Sequence, residues 1–188
     1  TGGWGLGTGD WGLGTGERDF AMKTRESGMP SEELWQGYFR PAEVLAALGL
    51  TDSARDVLDI GCGYGTFSLP AAAMVRGTVY ALDIDPAMVR MTASKAAGAG
   101  LGNVRSEVRD VVGSGSGLGD GSVDYVMVFN LLHCEEPVAM LREAARVAAP
   151  GGVVGVMHWN FDPSTPRGPS MAIRPRPEQC VEWGRSAG

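Results

Sequence analysis

Val57-Leu58-Asp59-Ile60 is a short, largely apolar run that ends in Gly61-Cys62-Gly63-Tyr64-Gly65, and this junction limits the folds open to the chain more than any other segment. A strand covered on both faces reads as a continuous apolar stretch, as parallel strands do. Glycines directly after it remove the side chains that would hold a ligand away from the backbone. When a helix follows, its first N–H groups point at whatever occupies the turn. The pattern predicts the first strand–turn–helix unit of a parallel sheet, with a nucleoside-cofactor pocket over the turn.

The remainder of the chain repeats that alternation. Val79–Leu82, Val104–Val108, Val123–Phe129 and Val153–Met157 read as further strands, and Thr66–Val75, Pro86–Ala97, Pro137–Ala148 and Pro177–Ala187 as helices. Asp85-Pro86 opens the second of these helices and Pro150-Gly151-Gly152 closes the third, while Pro70 should kink the first. Alternating strands and helices imply an α/β fold of Rossmann-like, doubly wound type, with a mostly parallel sheet and helices on both faces. Ser114 to Gly121 reads as a mobile, turn-rich connection. Upstream, Ser31 can cap a short helix and Pro41–Leu48 forms another, stopped at Gly49, so residues 20–48 are expected to make a helical lid on a domain spanning 20–188. Residues 1–19 hold a tandem Gly/Trp repeat, too glycine-rich for a cheap helix or strand and too short for a solenoid, and read as a disordered linker.

Composition removes several function classes. The 188 residues, 44% hydrophobic, suit one domain with a real core, and a formal net charge of -6 is the wrong sign for a general nucleic-acid surface. A small neutral or cationic partner fits better. Cys62, Cys134 and Cys180 are few and scattered, which argues against disulfides and structural zinc and for a reducing cytoplasm; no metal is expected. No apolar run is long enough to cross a bilayer and no secretory leader is visible, so no membrane association is expected.

Spacing bears on the choice of cofactor. A dinucleotide site asks for Gly-x-Gly-x-x-Gly/Ala and an acid about 20 residues on. Position 66 is Thr, Asp83 ends the second strand, and Asp110 and Asn130 follow the third and fourth strands, where their groups meet at one crevice. This pattern favours S-adenosylmethionine. A nicotinamide-dependent oxidoreductase remains the alternative, although the chain has no Tyr-x-x-x-Lys-like pair.

The motif Asp59-Ile60-Gly61-Cys62-Gly63-Tyr64-Gly65, followed by Leu82-Asp83-Ile84-Asp85 and Val123-Asp124-Tyr125-Val126, resembles the class I S-adenosylmethionine-dependent methyltransferases over roughly residues 20 to 188. The resemblance implies that Gly61, Cys62, Gly63 and Gly65 pack on the methionine part and ribose, that Asp59 holds the amino group through water, and that Asp83 binds both ribose hydroxyls. It further implies Ile84 on the adenine face, Asp110 and the Val111 amide at the adenine ring edge, and the Asn130 carbonyl near the methionine ammonium. Members of the class finish their sheet with two further strands after the last helix. This chain stops at Gly188 without that C-terminal pair, which motivates two further expectations: a homodimer through the exposed sheet edge, or a truncated, non-catalytic S-adenosylmethionine-binding protein.

Methyl transfer is an in-line displacement on a sulfonium that already leaves well, so the protein's work is alignment and exclusion of water. A neutral amine or a thiolate acceptor asks for little else, whereas a hydroxyl or carbon acid needs a base. His133 is the best-placed candidate, set against a bland reading in which it caps a helix or packs beside Cys134. Cys62 and Cys134 would suit a thiophilic substrate only if their thiolates converged. Trp159, beside His158 at the end of the fifth strand, is a candidate wall for the acceptor, and Arg167, Arg174 and Arg176 are candidate anion contacts that could equally pair with surface carboxylates. Asp59 and Asp83 are the strongest site candidates, because an acid at a buried strand end is costly without a partner.

Overall fold

The computed structural model describes residues 32, 39–165 and 168–188. The tandem repeat, most of the expected lid and Arg167 lie outside them. The strands are β1 (Val57–Ile60), β2 (Val79–Asp83), β3 (Val104–Val108), β4 (Val123–Phe129) and β5 (Ala148–Met157). The helices are α1 (Pro41–Ala47), α2 (Ser68–Met74), α3 (Pro86–Gly98), α4 (Val111–Ser114), α5 (Pro137–Val147) and α6 (Pro177–Ala187). All strand pairs are parallel, in the order β3-β2-β1-β4-β5. The order reverses beside β1, and at such a switch point the carboxyl ends of two strands part to leave a crevice.

The two-residue period of the strands divides the core into two. Leu58 and Ile60 of β1 with Val126 and Val128 of β4 face one layer, completed by Met140, Leu141, Ala144 and Val147 of α5, with Trp183 of α6 packed on it. Val57 with Tyr125, Met127 and Phe129 faces the other, completed by Leu45 of α1 and by Phe67, Ala71, Ala72 and Val75 around α2. β1 is buried throughout, as an apolar central strand must be, while three residues of the edge strand β3 are exposed.

Several sequence expectations are corrected. The helix expected from Thr66 begins at Ser68, so Pro70 lies in its first turn, where a missing N–H costs no intrahelical bond, and the proline gives no reason for a kink. Pro150-Gly151-Gly152 does not merely close α5: the helix ends at Val147 and β5 runs on through these residues, five residues earlier than expected, with a register shift opposite Val123 and Tyr125. Gly151 takes a φ of 83° there, which glycine adopts freely. The Ser114–Gly121 connection is fastened rather than loose. Ser116, 2% exposed, donates from its amide (2.7 Å) and hydroxyl (2.6 Å) to Glu143, and Arg146 donates to Asp120 (2.5 Å) and to the Leu118 carbonyl (2.9 Å). The described end of the expected lid, α1, is anchored on the core: Leu45 is fully buried, and the Tyr125 hydroxyl donates to the Leu48 carbonyl at 2.9 Å.

Candidate functional site

β1 delivers Asp59 to the crevice, and the chain then turns through three glycines in left-handed backbone, Gly61 (φ 72°), Gly63 (φ 52°) and Gly65 (φ 76°), before α2 begins. The turn is also crowded. A Cβ on Gly61 would come within 2.8 Å of the Leu131 side chain, and one on Gly65 within 3.1 Å of the Thr92 hydroxyl. Gly61 and Cys62 donate their amides to the Leu82 carbonyl, at 2.8 and 2.9 Å, which fixes the turn against the end of β2.

Asp83 sits at that end, 5% exposed, and gathers two backbone donors: the Gly63 amide on Oδ2 at 2.8 Å and the Asp85 amide on Oδ1 at 2.9 Å. Burial outweighs these bonds and raises its pKa above the ordinary carboxylate range. Asp59, 3% exposed, accepts the Ser68 hydroxyl at 2.5 Å. Its pKa is pushed up to about 7 by burial, with the Asp83 charge adding and the Ser68 bond subtracting. Two buried acids beside a glycine turn make a pocket that favours a cation, because a positive ligand would offset what burial costs their ionised forms.

Other predicted residues follow the carboxyl ends of β2, β3 and β4. Ile84 follows Asp83 half-buried. Asp110 caps α4 by accepting the Gly113 amide at 2.9 Å, and buried Val111 is the first residue of that helix. Asn130 follows β4 with a φ of 58°, the one non-glycine residue at positive φ among those described, and its amide donates to the Met157 carbonyl at 2.7 Å. Its side-chain Nδ2 is buried with no hydrogen-bond partner. Cys62 lies in the turn, its Sγ 3.9 Å from the Gly63 carbonyl and from the Thr92 hydroxyl, and burial raises its thiol pKa far out of thiolate range. Cys134 is likewise raised, to about 11, so neither cysteine is poised as a thiolate.

Three residues that sequence reasoning passed over complete the site. Ser68 anchors Asp59, and Thr92 donates to the Gly63 carbonyl at 2.8 Å. Thr92 was legible in principle, since Met88, Val89, Thr92 and Ala96 form one buried stripe of α3. Lys95 reaches from the same helix to the Tyr64 carbonyl (3.2 Å) and pairs with Glu32.

His133, beyond the carboxyl end of β4, does not cap a helix; its Nδ1 lies 3.2 Å from Nε2 of His158. Trp159 stands next to this pair, tilted 60° against Phe39 at 6.1 Å, and a Cβ on Gly168 would lie 2.6 Å from its ring. Arg174, 6% exposed, donates to the carbonyls of Pro169 (2.8 and 3.1 Å) and Asn160 (2.9 Å), and Arg176 lies 4.1 Å over the Phe161 ring, so both are engaged by groups that follow β5. Among the described residues no group of three or more His, Cys, Asp or Glu could hold a metal ion.

A parallel sheet of this order, with a glycine turn between two acid-tipped strands at its switch point, defines a Rossmann-like domain of the class I methyltransferase type. The chain belongs to the methyltransferase domain family, whose model matches residues 57–152. It is 36% identical over 124 residues to a nocamycin O-methyltransferase of Saccharothrix syringae, an alignment covering 63% of this chain and 43% of that protein. It is 30% identical over 152 residues to an uncharacterised protein of Mycobacterium tuberculosis, covering 77% and 53%. The chain spans about half the length of these curated relatives. In structure it resembles a SAM-dependent methyltransferase from Aquifex aeolicus, with a TM-score of 0.73 and 27% identity over 84% of this chain and 83% of that one. The family decides against the nicotinamide alternative.

Proposed function

We propose that the chain binds S-adenosylmethionine across the glycine turn and transfers its methyl group to a small-molecule acceptor. The observation that supports this most is the pair of buried acids, Asp59 and Asp83, flanking three left-handed glycines at the switch point. When bound, the cofactor supplies a methyl group on a positively charged sulfur, which leaves as a neutral thioether. The residues present fit it: Asp59 offers a buried carboxyl to the amino group, Asp83 offers its oxygens to the ribose, the Asn130 carbonyl faces the methionine ammonium, and the buried Nδ2 of Asn130 has no hydrogen-bond partner among the described residues. In this reading Gly61, Cys62, Gly63 and Gly65 line the methionine and ribose, Ile84 covers one face of the adenine, and Asp110 and the Val111 amide meet its edge. Holding acceptor and methyl carbon in line and dry can supply about 7–11 kcal/mol of the barrier reduction. Trp159 and Arg167 are proposed on the acceptor side.

The same reading includes a cytoplasmic protein, in keeping with three free cysteines, and a second copy pairing along the outer edge of β5. Among the described residues no helix is long and apolar enough to cross a membrane. Calorimetry with S-adenosylmethionine and with NAD tests the proposal. Binding of the first alone, weakened at least tenfold by Asp83→Ala, supports it; unchanged affinity in the variant overturns the ribose assignment.

A further inference from the structure

The chain contains two histidines, 25 residues apart in sequence, and the fold brings their rings together at the carboxyl ends of β4 and β5. Their hydrogen bonds fix where the protons sit. Nδ1 of His158 lies 3.3 Å from the Trp159 carbonyl oxygen, and a carbonyl can only accept, so this nitrogen carries the hydrogen. In a neutral ring Nε2 of His158 then holds a lone pair. Its partner at 3.2 Å, Nδ1 of His133, must be the donor, which leaves Nε2 of His133 with a free lone pair. One backbone carbonyl therefore sets the tautomer of two imidazoles in series.

From this geometry we infer that His133 is the base that takes the proton of an acidic hydroxyl acceptor, aryl or enolic, and that His158 is its positioning residue. The inference rests on the methyl-transfer reading above and names the acceptor class for it. His133 stands two residues after Leu131, whose side chain lies against Gly61, and three after Asn130, so the base is on the rim of the cofactor crevice. Trp159, directly after His158, gives that rim an aromatic surface on which a planar acceptor can lie. In the reaction the acceptor oxygen bonds to the methyl carbon as the carbon–sulfur bond breaks, with its electron pair going to sulfur, and the hydroxyl proton passes to Nε2 of His133. The imidazolium so formed strengthens its Nδ1–H bond to His158 and later loses the proton to water.

Burial, with the charge of His158 adding, lowers the pKa of His133 to about 4, and burial lowers that of His158 as well, so both rings are neutral near pH 7. So weak a base suits an acidic hydroxyl rather than an alcohol. An amine acceptor attacks with its own lone pair and would need no such relay.

Two measurements on the full chain test this. Long-range proton–nitrogen correlation spectra, simplified by the presence of just two histidines, should show both rings in the Nδ1–H form; a proton on Nε2 of His133 overturns the assignment without reference to any reaction. Replacement of His158 by Phe should release His133 to a mixture of tautomers, whereas retention of the pure Nδ1–H form removes the positioning role. Methyl-labelled S-adenosylmethionine is then incubated with a pool of aryl hydroxyls and with the matching aryl amines. Label should enter the hydroxyl pool, and His133→Gln should lower this about a hundredfold or more with cofactor affinity within twofold. Label in the amines alone, in neither pool, or in hydroxyls undiminished by the variant overturns the inference while the cofactor site stands. Failure of the wild-type chain to bind S-adenosylmethionine overturns both.

Discussion

Replacing Asp59 by Asn removes the negative charge that the proposed cofactor pocket would set against a cationic ligand. The carboxyl is 3% exposed and titrates near 7 rather than at its ordinary 3.8, chiefly because burial disfavours the ionised form. A shift of that size makes ionisation roughly 4 kcal/mol harder in the folded chain than in the unfolded one, a ceiling that relaxation and entering water would reduce. The sign follows from the direction of the shift. Between about pH 4 and pH 7 the folded chain keeps a proton that the unfolded chain has lost, so this group's contribution to stability falls as pH rises through that window and stays low above it. Asparagine keeps an oxygen for the Ser68 hydroxyl, which donates at 2.5 Å, and carries no charge. The variant should therefore come close to the wild type at or below about pH 4 and exceed it at pH 8, by up to about 4 kcal/mol or roughly 10 °C in Tm. Melting both proteins at both pH values and taking differences cancels every other titrating group. In the wild type, binding of the cationic cofactor at pH 6 should release close to one proton, read from calorimetry in two buffers of different ionisation enthalpy, and the variant should release none. A stability difference that does not change with pH, or a variant weaker than wild type at pH 8, would refute the claim that Asp59 is held as a strained acid.

Two further predictions concern parts of the fold that support the site. A Cβ on Gly155 would fall 2.0 Å from the Tyr125 hydroxyl, so Gly155→Ala should displace the ring from its bond to the Leu48 carbonyl and cost about 1–3 kcal/mol in urea melts; an unchanged midpoint would show that the ring has room to move. Glu143 is held down to about pKa 2 by Arg146 and Ser116, so its contribution is present above its ordinary 4.5 and is lost as pH falls from there through about 2. Glu143→Gln should cost about 1–2 kcal/mol at pH 7 and nothing near pH 2, and an equal deficit at both would assign the effect to packing instead.

Family resemblance and local physics together made much of this protein legible in one dimension. The order of strands and helices, the glycine turn and its two acids follow from apolar runs, breakers and spacings that act over a few residues, and residues 57–152 match the family model for the same reason. Contacts between distant segments were not readable in that way. Nothing in the sequence sets His133 against His158, Ser68 under Asp59, or Tyr125 over Gly155, because each pairing depends on how parallel strands register after intervening helices have packed. The path of β5 through Pro150-Gly151-Gly152 was missed because those residues ordinarily signal a stop, and here pairing with β4 at Ala148 and again from Val153 carries the strand across them as an irregularity. Local chemistry thus determined which elements form and what kind of ligand the turn accepts. Tertiary packing decided which titratable groups meet, and by removing water from around them it shifted the acidities of Asp59 and His133, on which the roles proposed for them depend.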